Sequence, residues 1–280
     1  MKGCFIGNSH LAAIRKGWDA ISADYPDVRL NMFASPGASL TRTYLSDGHL
    51  CAADSDVRES LLRTGGRERI PLTGYDFFVV VGCNIRIDQL WELFSTHNFV
   101  EANGQLVSRE LLSAALSARF RKSCAAQLVR KIRAATAVPI LVVAHPYPDF
   151  RFLERPRGKG FADVKQAGAL GELKAIFERA CESALEGRAE MVFQSPSTVV
   201  EEVFTREAFG ARAPRLVPGN VEHAQQELLH MNADYGVAML QRLFAVVGID
   251  REVGGAISRR KRPLAAIDGA APLSVPGSAG

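Results

Sequence analysis

Four short stretches of the chain carry side chains suited to acyl transfer. Gly7-Asn8-Ser9-His10 ends the first apolar run and offers a serine hydroxyl, a nucleophile once a base takes its proton. Ser35-Pro36-Gly37-Ala38-Ser39 follows the second run, and there Gly37 lets the backbone approach a ligand and present its N–H. Gly82-Cys83-Asn84 follows the third, and an asparagine amide in that place can point at a developing oxyanion. Glu227-Leu228-Leu229-His230 precedes the last helical pattern. A carboxylate three residues before a histidine can hold its Nδ1–H while Nε2 faces a nucleophile.

Each stretch also has a plain structural reading. Ser9 is a favoured helix N-cap type, Ser35–Ser39 is a turn, Asn84 can close a loop on backbone, and His230 can cap a helix or sit in a core. Secondary candidates are His145, straight after an apolar run and read as contacting substrate or as structural, and Arg86, read as pairing with an anionic substrate or in a surface ion pair. His10 reads as packed beside its turn, and Asp234 as an alternative acid to Glu227.

These residues need elements that bring them together. Short apolar runs at Gly3–Ile6, Val28–Phe33, Phe77–Val81, Ile140–Ala144 and Met191–Phe193 alternate with helical patterns, which predicts an α/β chain with a parallel sheet. Phe77–Val81 and Ile140–Ala144 are apolar at nearly every position, so both faces are expected to be buried. Helices are predicted over Leu11–Ala23, Ile87–Phe94, Glu110–Ala135, Asp163–Leu185 and Asn232–Val247. In the third of these, Leu112, Leu116, Phe120, Cys124, Leu128 and Ile132 recur every four residues, the stripe of one continuous helix lying on the sheet. Trp18 and Trp91 fall inside helical patterns as core residues. Residues 96–107 and 146–162 read as long loops. In a parallel sheet the first three functional stretches all lie at the carboxyl edge, where open α/β folds bind ligands.

The chain has 280 residues, 47% hydrophobic and 23% charged, enough for a large core and unlike a disordered polymer. The longest apolar run, Ala137–Ala144, is too short to span a bilayer, and the N-terminus has no secretory pattern, so a cytoplasmic protein without membrane association is expected. Five cysteines without a C-x-x-C pair suggest buried reduced thiols. Residues 251–280 hold five basic and two acidic residues, so only +1 of the net +4 belongs to residues 1–250. The body, 1–250, is read as one α/β domain, and 251–280 as a basic, disordered tail that argues against a nucleic-acid partner for the body. Phosphate-cradling glycine loops, the G-x-S-x-G elbow and H-E-x-x-H are absent.

The four stretches, in this order and at these strand ends, resemble the SGNH/GDSL hydrolase family over residues 3–236. The resemblance implies a three-layer α/β/α flavodoxin-like fold with a five-stranded parallel sheet. It also implies Ser9 as nucleophile, His230 as base with Glu227 as its acid, and an oxyanion hole built from the Ser9 N–H, the Gly37 N–H and the Asn84 side chain. Asn8 and Glu227 stand where that family usually has Asp, and Ile85 where an Asp often follows the Asn. The expected activity is hydrolysis or transfer of a short acyl group on a small-molecule or glycan ester, with no cofactor and no metal. The competing reading is a non-catalytic carbohydrate-binding or scaffold protein that keeps the cleft.

Overall fold

The computed structural model describes residues 1–102, 104–216, 221–224 and 227–251. The predicted tail, apart from Arg251, lies outside the described residues. Five strands form an all-parallel sheet: β1 (Lys2–Gly7), β2 (Arg29–Ala34), β3 (Phe77–Val81), β4 (Ile140–Val143) and β5 (Glu190–Met191), in spatial order β5-β4-β3-β1-β2. Among the described residues eight helices accompany it: α1 (Leu11–Ile21), α2 (Ser55–Gly65), α3 (Leu90–Phe94), α4 (Arg109–Arg121), α5 (Cys124–Ala135), α6 (Lys159–Gln166), α7 (Leu170–Leu185) and α8 (Ala233–Val247). None of the described helices is long and apolar enough to cross a membrane.

The alternation of side chains along a strand explains why the central runs are apolar throughout. Cys4, Ile6, Phe78, Val80, Ile140 and Val142 enter one apolar cluster with residues of α2 to α7, whereas Phe5, Val79, Val81, Leu141 and Val143 enter another with α1 and α8. Both faces of β1, β3 and β4 are therefore covered by helices.

Several sequence expectations are corrected. The predicted helix over 110–135 is two helices, because Ser123 turns out of the helix and its Oγ accepts the Ala126 N–H at 3.1 Å, capping α5. The four-residue stripe survives the break, with Leu112, Leu116, Phe120, Cys124, Leu128 and Ile132 all buried. The predicted helix over 163–185 is likewise divided, with Gly168 at a φ of +68° between α6 and α7. The periodicity assigns no element between β2 and β3. The structure has α2 there and a small antiparallel sheet of Thr43–Ser46, His49–Ala52 and Arg69–Pro71. Those strands are only three or four residues long and partly exposed, too short for alternation to register. Residues 96–107 hold a two-strand pairing of His97–Asn98 with Gln105–Leu106, and 146–162 hold two short 3₁₀ turns and the start of α6. Trp18 and Trp91 are half-buried at the margins of the two clusters, not inside them. All five cysteines are free; Cys51 is half-buried and the rest buried.

Candidate active site

Strand register brings the functional stretches side by side. Gly7 pairs with Ala34 on one side and Val81 on the other, and Val81 pairs with Val143. The loops starting at Asn8, Ser35, Gly82 and Ala144 thus leave four adjacent strands at one edge. The Ser35 N–H donates to Gly7 O at 3.1 Å and the Gly82 N–H to Val143 O at 2.8 Å, extending the sheet by one step into these loops.

Ser9 is not the N-cap of α1. That position belongs to His10, which makes no side-chain cap bond. The Ser9 hydroxyl instead lies 2.9 Å from Nε2 of His230, in hydrogen-bond contact across 221 residues of sequence. The close crossing of α1 and α8 makes this possible. Gly17 and Gly236 face each other there, and a Cβ on Gly236 would lie 1.9 Å from the Ala13 carbonyl oxygen. Asn232 caps α8 by accepting the Tyr235 N–H at 3.2 Å, which fixes where the helix starts and where His230 stands before it.

Of the two candidate acids, only Glu227 reaches the imidazole. Its Oε1 is 3.7 Å from His230 Nδ1, longer than a hydrogen bond, so it acts on the ring through charge. The same oxygen accepts the Leu229 N–H at 3.0 Å. Contact with the imidazole and that N–H together hold the Glu227 carboxyl down to about 2, against the pull of burial. Asp234 is exposed in the first turn of α8 and does not contact His230.

His230 is sandwiched by other imidazoles. His223 stacks on it at 3.9 Å between centroids and 13° between planes, and His10 on it at 4.7 Å and 11°. His145 then meets His10 at 4.0 Å. Burial, before any neighbouring charge, depresses the flanking rings: His145 to about 3, His223 to about 4, and His10 well below its ordinary value. These three rings are accordingly neutral near neutral pH. The sequence placed His10 beside its turn and gave no sign of His223, although the spacing H-x₃-E-x₂-H from 223 to 230 was there to be read.

His145 is buried and its Nε2 receives two N–H groups, Asn8 Nδ2 at 3.2 Å and the Asn84 backbone N–H at 3.3 Å. With Nε2 the acceptor, the proton of this neutral ring is on Nδ1. Asn8 also accepts the His10 N–H on Oδ1 at 3.2 Å, and a Cβ on Gly82 would lie 2.5 Å from that oxygen. Gly82, Cys83 and Asn84 all have positive φ, +74°, +54° and +69°, so the chain turns sharply beneath Asn8. The Ser9 N–H, the Gly37 N–H and the Asn84 side-chain amide make no hydrogen bond among the described residues. Gly37 has a φ of +57° and open space where a side chain would stand. Arg86 is not in a surface pair: its guanidinium forks onto the buried Asp88, with Nε 2.8 Å from Oδ1 and a second contact from Nη2 to Oδ2.

The arrangement supplies a hydroxyl bonded to an imidazole, a carboxylate beside that imidazole, and unengaged N–H donors on the neighbouring strand ends. Comparison of the chain with protein families, with curated proteins and with solved structures finds no match.

Proposed function

We propose that the protein is a serine esterase of SGNH/GDSL type that hydrolyses or transfers short acyl groups, with a sugar or glycan precursor as the acyl carrier. The observation that carries the reading is the 2.9 Å contact between Ser9 Oγ and His230 Nε2 at the carboxyl edge of the sheet. The strand order, read from the β2 edge as 2-1-3-4-5, is that of flavodoxin-like folds. We read the helix-covered sheet as the three-layer form of that fold.

In the proposed mechanism His230 takes the Ser9 proton on Nε2 as Ser9 Oγ attacks the ester carbonyl, and Glu227 stabilises the resulting imidazolium by charge. The oxyanion is received by the Ser9 N–H, the Gly37 N–H and the Asn84 amide. His230 returns the proton to the leaving alcohol, then activates water, or the hydroxyl of an acceptor, to release the acyl group. His145 has a structural part in this scheme: it pins Asn8 and the Asn84 backbone, which leaves the Asn84 side chain as the donor. Arg86, bound to Asp88, contributes charge at the margin of the site and is not a free fork for substrate.

The test is labelling with a fluorophosphonate probe together with hydrolysis of a short-chain aryl ester. Wild type should be labelled at Ser9 and turn the ester over, and Ser9→Ala should do neither. An unlabelled wild-type serine would point to the binding-protein reading instead. Running the ester reaction with and without an added sugar acceptor separates hydrolysis from transfer.

A further inference from the structure

We propose that His223, Glu227 and His230 form a binding site for a zinc-like divalent cation, and that the bound ion takes Nδ1 of His230 and so disables the ring as a base. The consequence for turnover rests on the esterase reading; the binding site does not.

One ring nitrogen from each histidine and one carboxylate oxygen of Glu227 lie within 4.8 Å of one another. His230 Nδ1 and His223 Nε2 are both buried and have no hydrogen-bond partner among the described residues. A buried polar nitrogen left unpaired costs about 1–3 kcal/mol, so two beside one carboxylate are an unfilled coordination set. A metal ion accepts both lone pairs and neutralises the carboxylate at the same time.

Donor chemistry selects the ion. Two imidazole nitrogens and one carboxylate suit zinc and its first-row neighbours, whereas magnesium and calcium prefer all-oxygen sets. Zinc–ligand bonds of about 2.0–2.2 Å in a tetrahedron put donor atoms about 3.3–3.6 Å apart. The Glu227 oxygen, 3.7 Å from Nδ1, is almost in place; rotation of His223 out of its stack on His230 closes the rest. The fourth position is left to water.

The effect on His230 follows from counting its proton. A neutral imidazole carries one. For base catalysis that proton sits on Nδ1 and the Nε2 lone pair faces Ser9 Oγ. A metal on Nδ1 uses the lone pair there, so the proton moves to Nε2 and points at Oγ. The contact with Ser9 persists with its direction reversed, Nε2–H donating to Oγ; the ring can no longer accept the hydroxyl proton, and taking up a second proton would require the metal to leave.

Cobalt(II) titrated into metal-stripped full-length protein, followed by its visible d–d absorption and competed with zinc, reads binding without any activity. One ion per chain is expected. His223→Gln, which removes a ligand, should weaken binding by at least the roughly 10- to 100-fold that loss of an outer-shell partner costs, and Ser9→Ala should leave it intact. Long-range ¹H–¹⁵N spectra of the histidines should show the His230 proton on Nε2 once zinc is bound. In the ester assay, zinc should inhibit wild type and should inhibit His223→Gln much less, each measured against its own metal-free rate. No cobalt spectrum, or one unaffected by His223→Gln, overturns the site; a proton remaining on Nδ1, or activation by zinc, overturns the switch. Metal-free protein that binds cobalt yet hydrolyses no ester defeats the esterase reading and leaves the site standing.

Discussion

Gly17 on α1 and Gly236 on α8 pack backbone against backbone, and a Cβ on Gly17 would meet the Gly236 carbonyl carbon at 2.5 Å. That crossing sets the distance between the turn holding Ser9 and the segment holding His230. Gly236→Ala should therefore separate the two helices, at a cost of about 1–3 kcal/mol for forced overpacking. A lower urea midpoint and slower fluorophosphonate labelling of Ser9 are the expected results. An unchanged midpoint would show that the helices slide apart freely and that the glycine pair does not set the site.

Asn84 has left-handed backbone, so alanine there would mix strain with loss of the amide. Asn84→Gly keeps the turn and the N–H that bonds His145 while removing the proposed oxyanion donor. Turnover of an aryl ester should fall by about 10²–10³, with melting temperature unchanged. A glycine variant as active as wild type would remove Asn84 from the oxyanion hole.

The legible parts of this chain were those with a repeating apolar signal or a polar residue at a strand end. Phe77–Val81 and Ile140–Val143 are buried on both faces, and such runs have no other place in a fold of this kind. Ser9, Gly37 and Asn84 could be found because each follows a short apolar run, at Gly3–Ile6, Val28–Phe33 and Phe77–Val81 respectively. Periodicity could not show that Ser123 interrupts a stripe of buried residues, since the stripe continues across the break. Nor could it show the imidazole stack. His10, His145, His223 and His230 come from three separate loops and obey no period, and only the strand order and the glycine crossing bring their rings together. The choice between Glu227 and Asp234 was equally hidden: both are within reach along the sequence, and the helix start at Asn232 turns Asp234 to solvent.

That choice yields a direct comparison. A unit charge about 4 Å away is worth at most about 4 kcal/mol near a protein surface, and Glu227 is partly exposed and not hydrogen-bonded to the ring. Glu227→Gln should slow ester hydrolysis by about 10- to 100-fold, a smaller loss than for a fully hydrogen-bonded acid. Asp234→Asn should leave the rate unchanged and lower stability by a few tenths of a kcal/mol through the dipole of α8. The opposite ranking of the two variants would transfer the acid's role to Asp234.

Two buried imidazoles, His10 and His145, and the half-buried His223 make stability depend on acid. His10, His145 and His223 are held neutral in the fold, His145 down to about 3 and His223 to about 4, while an unfolded chain takes up these protons near pH 6.5. Between those limits the unfolded state binds more protons, so stability falls as pH drops. Each unit of depression on a fully buried ring is worth about 1.4 kcal/mol. Glu227, held down to about 2, adds its loss only below its unfolded value near 4.3. The urea midpoint should therefore fall between pH 7 and pH 4.5 from the histidines alone. His145→Gln offers a carbonyl oxygen to the Asn8 and Asn84 N–H groups without a titrating ring, and its midpoint should fall less over the same range. A wild-type midpoint that is level from pH 7 to 4.5 would mean that these rings charge as readily in the fold as outside it, and that the fold does not hold them neutral.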